Sequence, residues 1–256
     1  MKNVIIFEKP STVWVIPENL DTGWINGEFY KPLFLEIESY FERDNIEVKK
    51  FSKIADIRRV TGFEVEKYLE ITAEGHPYLR VKNVKEFFID YEDMQHIPHW
   101  VHRKFENSQF KQGDIALTIT GRVGTAAIIS NDKLEHNACQ DVVKVSIKDK
   151  ANIDTYYLLS YLNSKFNYHL LNRFNSGGSR PRTLINNVRK VKIPSPSPEI
   201  QKYIGDKVRK AEKLREEYKK FMTESKSEVL KIIDSTEGKP KRKSCYKNLL
   251  DRPNIT

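Results

Sequence analysis

Cysteine is almost absent from this sequence: Cys139 and Cys245 are the only two in 256 residues. So few and so far apart, they build neither a disulfide framework nor a zinc knuckle, and a reduced, cytoplasmic chain is expected. No apolar run approaches the roughly 20 residues of a membrane span, and the start, MKNVIIFEKP, is too briefly apolar for a secretion signal. The phosphate cradles GxxxxGK[ST] and GxGxxG are missing; GRVG (121–124) has neither the spacing nor the lysine. No Ser/His/Asp or Cys/His order stands out, so no catalytic residue is expected. Acidic residues are missing from one long stretch. Between Asp154 and Glu199 there is none, while Lys165, Arg173, Arg180, Arg182, Arg189, Lys190 and Lys192 all occur there.

That imbalance points to a partner. The chain carries 44 basic against 35 acidic residues, a formal net charge of +9. The acid-free stretch contains the loop SGGSRPRT (176–183), with glycines where backbone can approach closely and arginines that fork onto phosphate or guanine. A local cationic excess of this kind is best explained by a polyanion, and nucleic acid is the expected one.

The order of patterns gives the organisation. Residues 1–46 read as an N-terminal segment with two β-rich runs (NVIIF, TVWVI) and a helix from Pro32 to Arg43 whose apolar face is Leu33, Ile37 and Phe41. Residues 47–198 read as one α+β domain with a mixed or antiparallel sheet and packed helices. Its strands are PYLRVKNV (77–84), DIALTIT (114–120), GTAAIIS (124–130) and DVVKVSI (141–147), with GRVG as a hairpin turn. Leu158, Leu162, Phe166, Leu170 and Phe174 step by four and predict one helix over 154–174. From Glu199 to about residue 233, Ile204, Val208, Ala211, Tyr218, Met222 and Val229 predict a long coiled-coil-type helix, interrupted at Arg215 and weakened at Gly205. Residues 234–256 are a basic tail expected to be disordered.

Candidate DNA contacts follow from placement. Arg80, Lys82 and Asn83 alternate on a strand; Arg122 sits at the hairpin tip beside the Thr120 hydroxyl; Gln140 can read a base edge. Ser179, Arg180 and Arg182 lie in the glycine loop. Each has a bland counterpart: exposed charges on half-buried strands and basic turn tips also serve solubility. His96, His99 and His102 recur every three residues around Trp100, but Pro98 interrupts the run and no Cys, Asp or Glu completes a ligand set. No metal is expected. Asp21 with Glu47-Val48-Lys49 is only a weak echo of a nuclease acid cluster.

Four blocks together carry a family likeness. PYLRVKNV, QFKQGDIALTITGRVGTAAII, SGGSRPRTLINNVRKVKIPSPSPEIQKYI and the heptad helix resemble, in order and spacing over residues 47–233, the target recognition domain of type I restriction–modification specificity subunits. Phe29-Tyr30-Lys31-Pro32 resembles a stretch that precedes such domains after a methyltransferase. The resemblance implies a non-catalytic subunit that reads one half of a bipartite DNA target. It also implies docking to a methyltransferase (modification) subunit and recruitment of a restriction motor subunit. S-adenosylmethionine, ATP and magnesium are then expected only on those partners, with no cofactor on this chain. Two departures stand out. Family members carry two recognition domains and two spacer helices, whereas one of each occurs here and no repeat is visible. Where the family has IPLPPLEEQ, this chain has IPSPSPEIQ (193–201). The first departure suggests a half-size subunit pairing two copies through the helix; a split reading frame looks the same. Two alternatives remain: a piece of a fused DNA methyltransferase or restriction enzyme with catalysis elsewhere, though no NPPY-type motif occurs, or a scaffold that binds the modification subunit without reading DNA.

Overall fold

Proline at the first helical position opens α1 (Pro32–Arg43), where its preset φ fits and its missing N–H is not needed. The computed structural model describes residues 17, 27, 29–43, 46–59, 74–130, 135–174 and 181–236. The two N-terminal β-rich runs and the basic tail beyond 236 lie outside them. After α1 come β1 (Val48–Lys50), α2 (Phe51–Ile54), β2 (Ala55–Arg59), β3 (His76–Leu79), β4 (Gln95–Ile97), α3 (His99–Lys104), β5 (Ile115–Thr118) and β6 (Ala126–Ile128). They are followed by β7 (Asn137–Ala138), β8 (Val142–Ile147), α4 (Thr155–Leu162), α5 (Lys165–Asn172), α6 (Ile185–Lys190), β9 (Lys192–Pro194) and α7 (Pro198–Thr236). This is an α+β fold with a long C-terminal helix, as the sequence predicts.

The strands form three sheets: an antiparallel β2-β8-β5-β6, a mixed β4-β3-β7 in which β3 and β7 run parallel, and the pair β1-β9. Every residue of β5 is buried, so both faces of the central sheet are covered, which is why IALT shows no polar alternation. On one face Ile115, Leu117, Val143 and Val145 meet Leu158, Leu159, Leu162 and Leu171, with Ile37 and Phe41 of α1 in the same cluster. On the other, Ala116, Ala127 and Val142 meet Leu79, Val84, Ile89 and Phe110. Each large side chain so buried stabilises the fold by about 1.5–3 kcal/mol relative to exposure. The strand β9, from the IPSPSP run, pairs antiparallel with β1, with Lys49 opposite Ile193, and so brings residues 48 and 194 together.

Four local expectations are corrected. In α1 the buried residue of the first turn is Phe34, while Leu33 is 45% exposed. The run 77–84 is not one strand: β3 ends at Leu79, and Val81–Asn83 winds into a 3-10 turn. The period-four series 158–174 is two helices, because Ser164 caps a second one by accepting from Asn167 N; Phe166 is left exposed. The break is put to use, since the Asn163 amide both accepts from Ala126 N (3.0 Å) and donates to Ala126 O (2.9 Å), fastening β6 to the helical layer.

Gly205 is the fourth. The helix α7 runs through it unbroken, and it sits buried where a Cβ would lie 2.4 Å from Asp154 Oδ1. Asp154 caps α4 by accepting from Tyr156 N and Tyr157 N, both 2.9 Å, and pairs with Arg209. Gln201 reinforces the junction by accepting from Asp154 N (2.9 Å) and donating to Pro196 O (2.8 Å). The chain divides after Arg209 into two compact units, with the rest of α7 in the second. Asp154→Ala removes a helix cap and an ion pair together, and is expected to lower unfolding free energy by about 1–2 kcal/mol, read from the denaturant midpoint. Asp154→Asn, which keeps a capping oxygen, should lose less.

Candidate nucleic-acid interface

GRVG makes a tight turn because Gly121 and Gly124 adopt φ of +72° and +95°, values that L side chains rarely tolerate. Thr118 anchors the turn: its backbone accepts from Gly124 N (2.9 Å), and its hydroxyl donates to Arg122 O and accepts from Thr125 N (3.1 Å). Arg122 is thereby presented at the tip, exposed. The end of the glycine-arginine loop lies along the same hairpin. Gly121 N donates to Pro181 O (2.8 Å), Thr183 N donates to Ile119 O (2.9 Å), and Thr120 and Arg182 form an antiparallel bridge. Two arginines 60 residues apart in sequence, Arg122 and Arg182, are thus carried by adjoining backbone, both exposed.

Other elements converge on this ridge. Val81, in the 3-10 turn, lies 4.0 Å from where a Cβ of Gly121 would be, so exposed Lys82 comes from a neighbouring segment. A surface cavity of about 360 Å³ is lined by Arg122, Gly124, Lys165, Tyr168 and Glu86. Gln140 is half-buried, and its backbone oxygen accepts from Arg59 Nε (3.1 Å). Arg59 and Tyr168 were not singled out in the sequence, and Lys165 only as one cation of the acid-free stretch. Lys165 and Tyr168 belong to a helix face and Arg59 to a strand end, and only the fold brings them to the hairpin. For Arg59 the available signal was the Arg58-Arg59 pair at the end of the run IADIRR.

Several sequence candidates are placed inward. Asn83 is 1% exposed: its carbonyl accepts from Arg80 N (3.1 Å) and its amide donates to Asp90 O (3.2 Å), so it ties a turn together. Thr120 is 4% exposed and its hydroxyl donates to Asp141 Oδ1 (2.8 Å). Arg80 is half-buried and donates to Asp93 O (2.9 Å), while Lys82 pairs with Asp93 at 3.4 Å. Asn83 and Thr120 therefore serve the fold, because both side chains are buried and bonded within the chain. Ser179 and Arg180 lie outside the described residues.

The acid-free run is also less available than its charge suggests. Arg173 is 8% exposed, donates to Phe29 O (2.7 Å) and to Glu38 (2.8 Å), and lies over the Phe29 ring. Lys192 pairs with the same Glu38, and Arg189 donates to Ile57 O. These three cations are held by a carboxylate outside the run and by backbone carbonyls.

On α7, Ile204 and Val208 are half-buried, and Val208 packs against the chain's own core, which removes it from a helix–helix seam. Ala211 is exposed. Leu214, Tyr218, Phe221, Met222, Val229 and Ile232 are exposed apolar residues, from 42% for Met222 to 62% for Tyr218. Ala211, Leu214, Tyr218 and Phe221 step by three, four and three. The heptad series therefore runs past Arg215, the apparent break, through two residues the sequence reading omitted.

Three histidines meet where β3 of the mixed sheet lies against α3. His76 stacks on His102 with centroids 3.6 Å apart and donates to or accepts from His99 at 2.7 Å, while His96 stays outside the group. Burial first, and then neighbouring His76, hold the His102 pKa below its usual value. Glu47, of the weak nuclease echo, pairs with Lys49 (3.3 Å), and Asp21 lies outside the described residues. Among the described residues, no helix is long and apolar enough to cross a membrane.

The family described as type I restriction modification DNA specificity domain matches residues 44–221. Among curated proteins, none matches significantly. Three solved structures are similar. A type I R-M system complex has 13% identity and a TM-score of 0.46 over 78% of this chain and 50% of that one. The HsdS subunit from Thermoanaerobacter tengcongensis has 12% identity and a TM-score of 0.44 over 78% and 49%. The type IIG restriction endonuclease BpuSI has 10% identity and a TM-score of 0.52 over 71% and 28%. The chain therefore spans half or less of the lengths it matches. At 10% identity the likeness to BpuSI shows a shared fold alone.

Asn83→Ala separates fold from interface. It is expected to destabilise the chain by about 1–3 kcal/mol, the cost of orphaning buried backbone groups, in a denaturant titration. A lowered DNA affinity with unchanged stability would mean that Asn83 touches DNA instead.

Proposed function

Since the chain belongs to the family of type I restriction modification DNA specificity domains, we propose that it reads part of a double-stranded DNA target as a non-catalytic specificity subunit. The reading edge is the hairpin ridge: Arg122 and Arg182, with Lys82 and Lys165 on flanking elements and Gln140 beside Arg59. The observation that supports this most is the Thr120–Arg182 bridge, which sets an exposed arginine of the basic loop against the backbone of the hairpin that carries Arg122. Guanidinium groups fork onto guanine edges or phosphates, and a narrow ridge of a hairpin and a loop fits a groove. Arg180 and Ser179 precede Arg182 in the same basic run of sequence. S-adenosylmethionine, ATP and magnesium belong to partner subunits, which this chain positions on the target.

The exposed series on α7 from Ala211 to Ile232 is the surface through which two copies pair, each reading half of an interrupted, palindromic site, with the methyltransferase subunit docking on the assembly. A second reading has one observation in its favour. The fold is shared with a type IIG restriction endonuclease of which it covers 28%, as expected if such a reader can also be one part of a larger enzyme.

Arg122→Ala is expected to weaken binding to the preferred duplex by about 1–3 kcal/mol if the arginine reads a base. If it contacts phosphate, binding to all sequences weakens and the salt dependence flattens. Affinity and salt slope both unchanged, measured by fluorescence anisotropy, would remove the ridge from the interface. Ala211→Glu or Phe221→Glu is expected to turn a dimer into a monomer by solution mass. A wild-type chain that is monomeric at micromolar concentration would contradict the pairing.

A further inference from the structure

His76 begins β3, His102 lies on α3, and Glu135 precedes β7; one ligand atom from each lies within 4.8 Å of the others. The amide of Asn137 settles what His102 offers. Asn137 Nδ2 donates to Ser108 Oγ (2.7 Å), so its Oδ1 is the atom that faces His102 Nδ1. An oxygen there requires the proton on Nδ1, which leaves Nε2 of the neutral ring with a lone pair. That Nε2 makes no hydrogen bond, although His102 is 2% exposed. It faces Glu135 Oε2 at 3.2 Å, and His76 Nδ1 faces the same oxygen at 3.6 Å.

A lone pair set against a carboxylate oxygen is repulsive unless a cation lies between them. We propose that His76 Nδ1, His102 Nε2 and Glu135 Oε2 bind a divalent transition metal ion of the zinc class, clamping α3 to the mixed sheet. A proton satisfies only the His102–Glu135 pair; His76 Nδ1, which lies 3.2 Å from the Glu135 backbone oxygen and donates to it, exchanges that contact for the ion to complete the ligand set. The two separations to Oε2 bracket the tetrahedral edge of about 3.3 Å that bonds of ~2.0–2.1 Å impose. The surroundings fit the same chemistry, because a metal-bound imidazole donates its other N–H to an oriented acceptor. Asn137 Oδ1 takes that of His102, and His99 Nδ1 lies 2.7 Å from Nε2 of His76 to take its own. Lone pairs of stacked rings run side by side, so His76, the less buried of the two, tilts out of the stack to reach the ion. Two imidazoles and one carboxylate suit zinc and its neighbours over magnesium or calcium. The proposal does not depend on DNA binding.

The untagged full chain, stripped with chelator, is titrated with Co²⁺ and then Zn²⁺, following visible absorption, calorimetric stoichiometry and thermal unfolding. One Co²⁺ per chain, displaced by Zn²⁺, and a raised Tm are expected. Glu135→Gln, at an exposed position that leaves the core intact, should weaken binding at least tenfold, as should His76→Gln, while His96→Gln leaves it unchanged. No stoichiometric uptake, or uptake undiminished in both variants, overturns the site. A stabilisation that depends on pH and on Glu135 with no metal uptake also overturns it, in favour of a protonated His102–Glu135 pair.

Discussion

The backbone contacts between the β5–β6 hairpin and residues 181–183 are the constraint on which this structure turns. An arginine at a glycine turn has no fixed address alone, and neither has an arginine at the end of a glycine loop. Three features give Arg122 and Arg182 a common frame: the Gly121–Pro181 and Thr183–Ile119 hydrogen bonds and the Thr120–Arg182 bridge. The frame is rigid because the strands beneath it are buried on both faces. Thr118 and Asn163 fasten the hairpin to itself and to the helical layer. A reader of DNA needs such pre-organisation, because each long side chain ordered on binding costs affinity.

The same logic explains why the cationic run is not a cationic surface. A buried guanidinium is tolerated only where partners replace its water, and Arg173 has a carboxylate, a carbonyl and an aromatic face. Removing those internal cations from the count concentrates the useful charge on a smaller ridge. It also gives the family's glutamine a structural role here, since Gln201 joins the first turn of α7 to the cap of α4. The departure from IPLPPLEEQ to IPSPSPEIQ leaves that joint intact.

Much of the fold was legible because it rests on local pattern. Apolar runs marked β5 and β8, glycines marked the hairpin, and the heptads marked α7. Misreadings arose where a short polar residue outweighed periodicity: Ser164 ended one helix and began another within an unbroken period of four. The interface was legible in kind, through the glycine-arginine blocks, but not in membership. Asn83 and Thr120 look like contact residues in sequence and prove to be turn braces. Lys165, Tyr168 and Arg59 join the ridge through contacts of high sequence separation. The histidine cluster shows the same limit, since the His96–His99–His102 spacing pointed to a set from which His96 is absent, while His76 and Glu135 come from distant elements.

The central claim is that duplex DNA lies on the hairpin ridge. Its most direct test is side-chain protection: arginines and lysines of the full chain are modified with and without saturating duplex at low salt, and the sites are read by mass spectrometry. Lys82, Arg122, Lys165 and Arg182 are expected to become protected together, while Lys213 on α7 stays reactive. Equal reactivity of Arg122 and Arg182 in the free and DNA-bound chain would contradict the account.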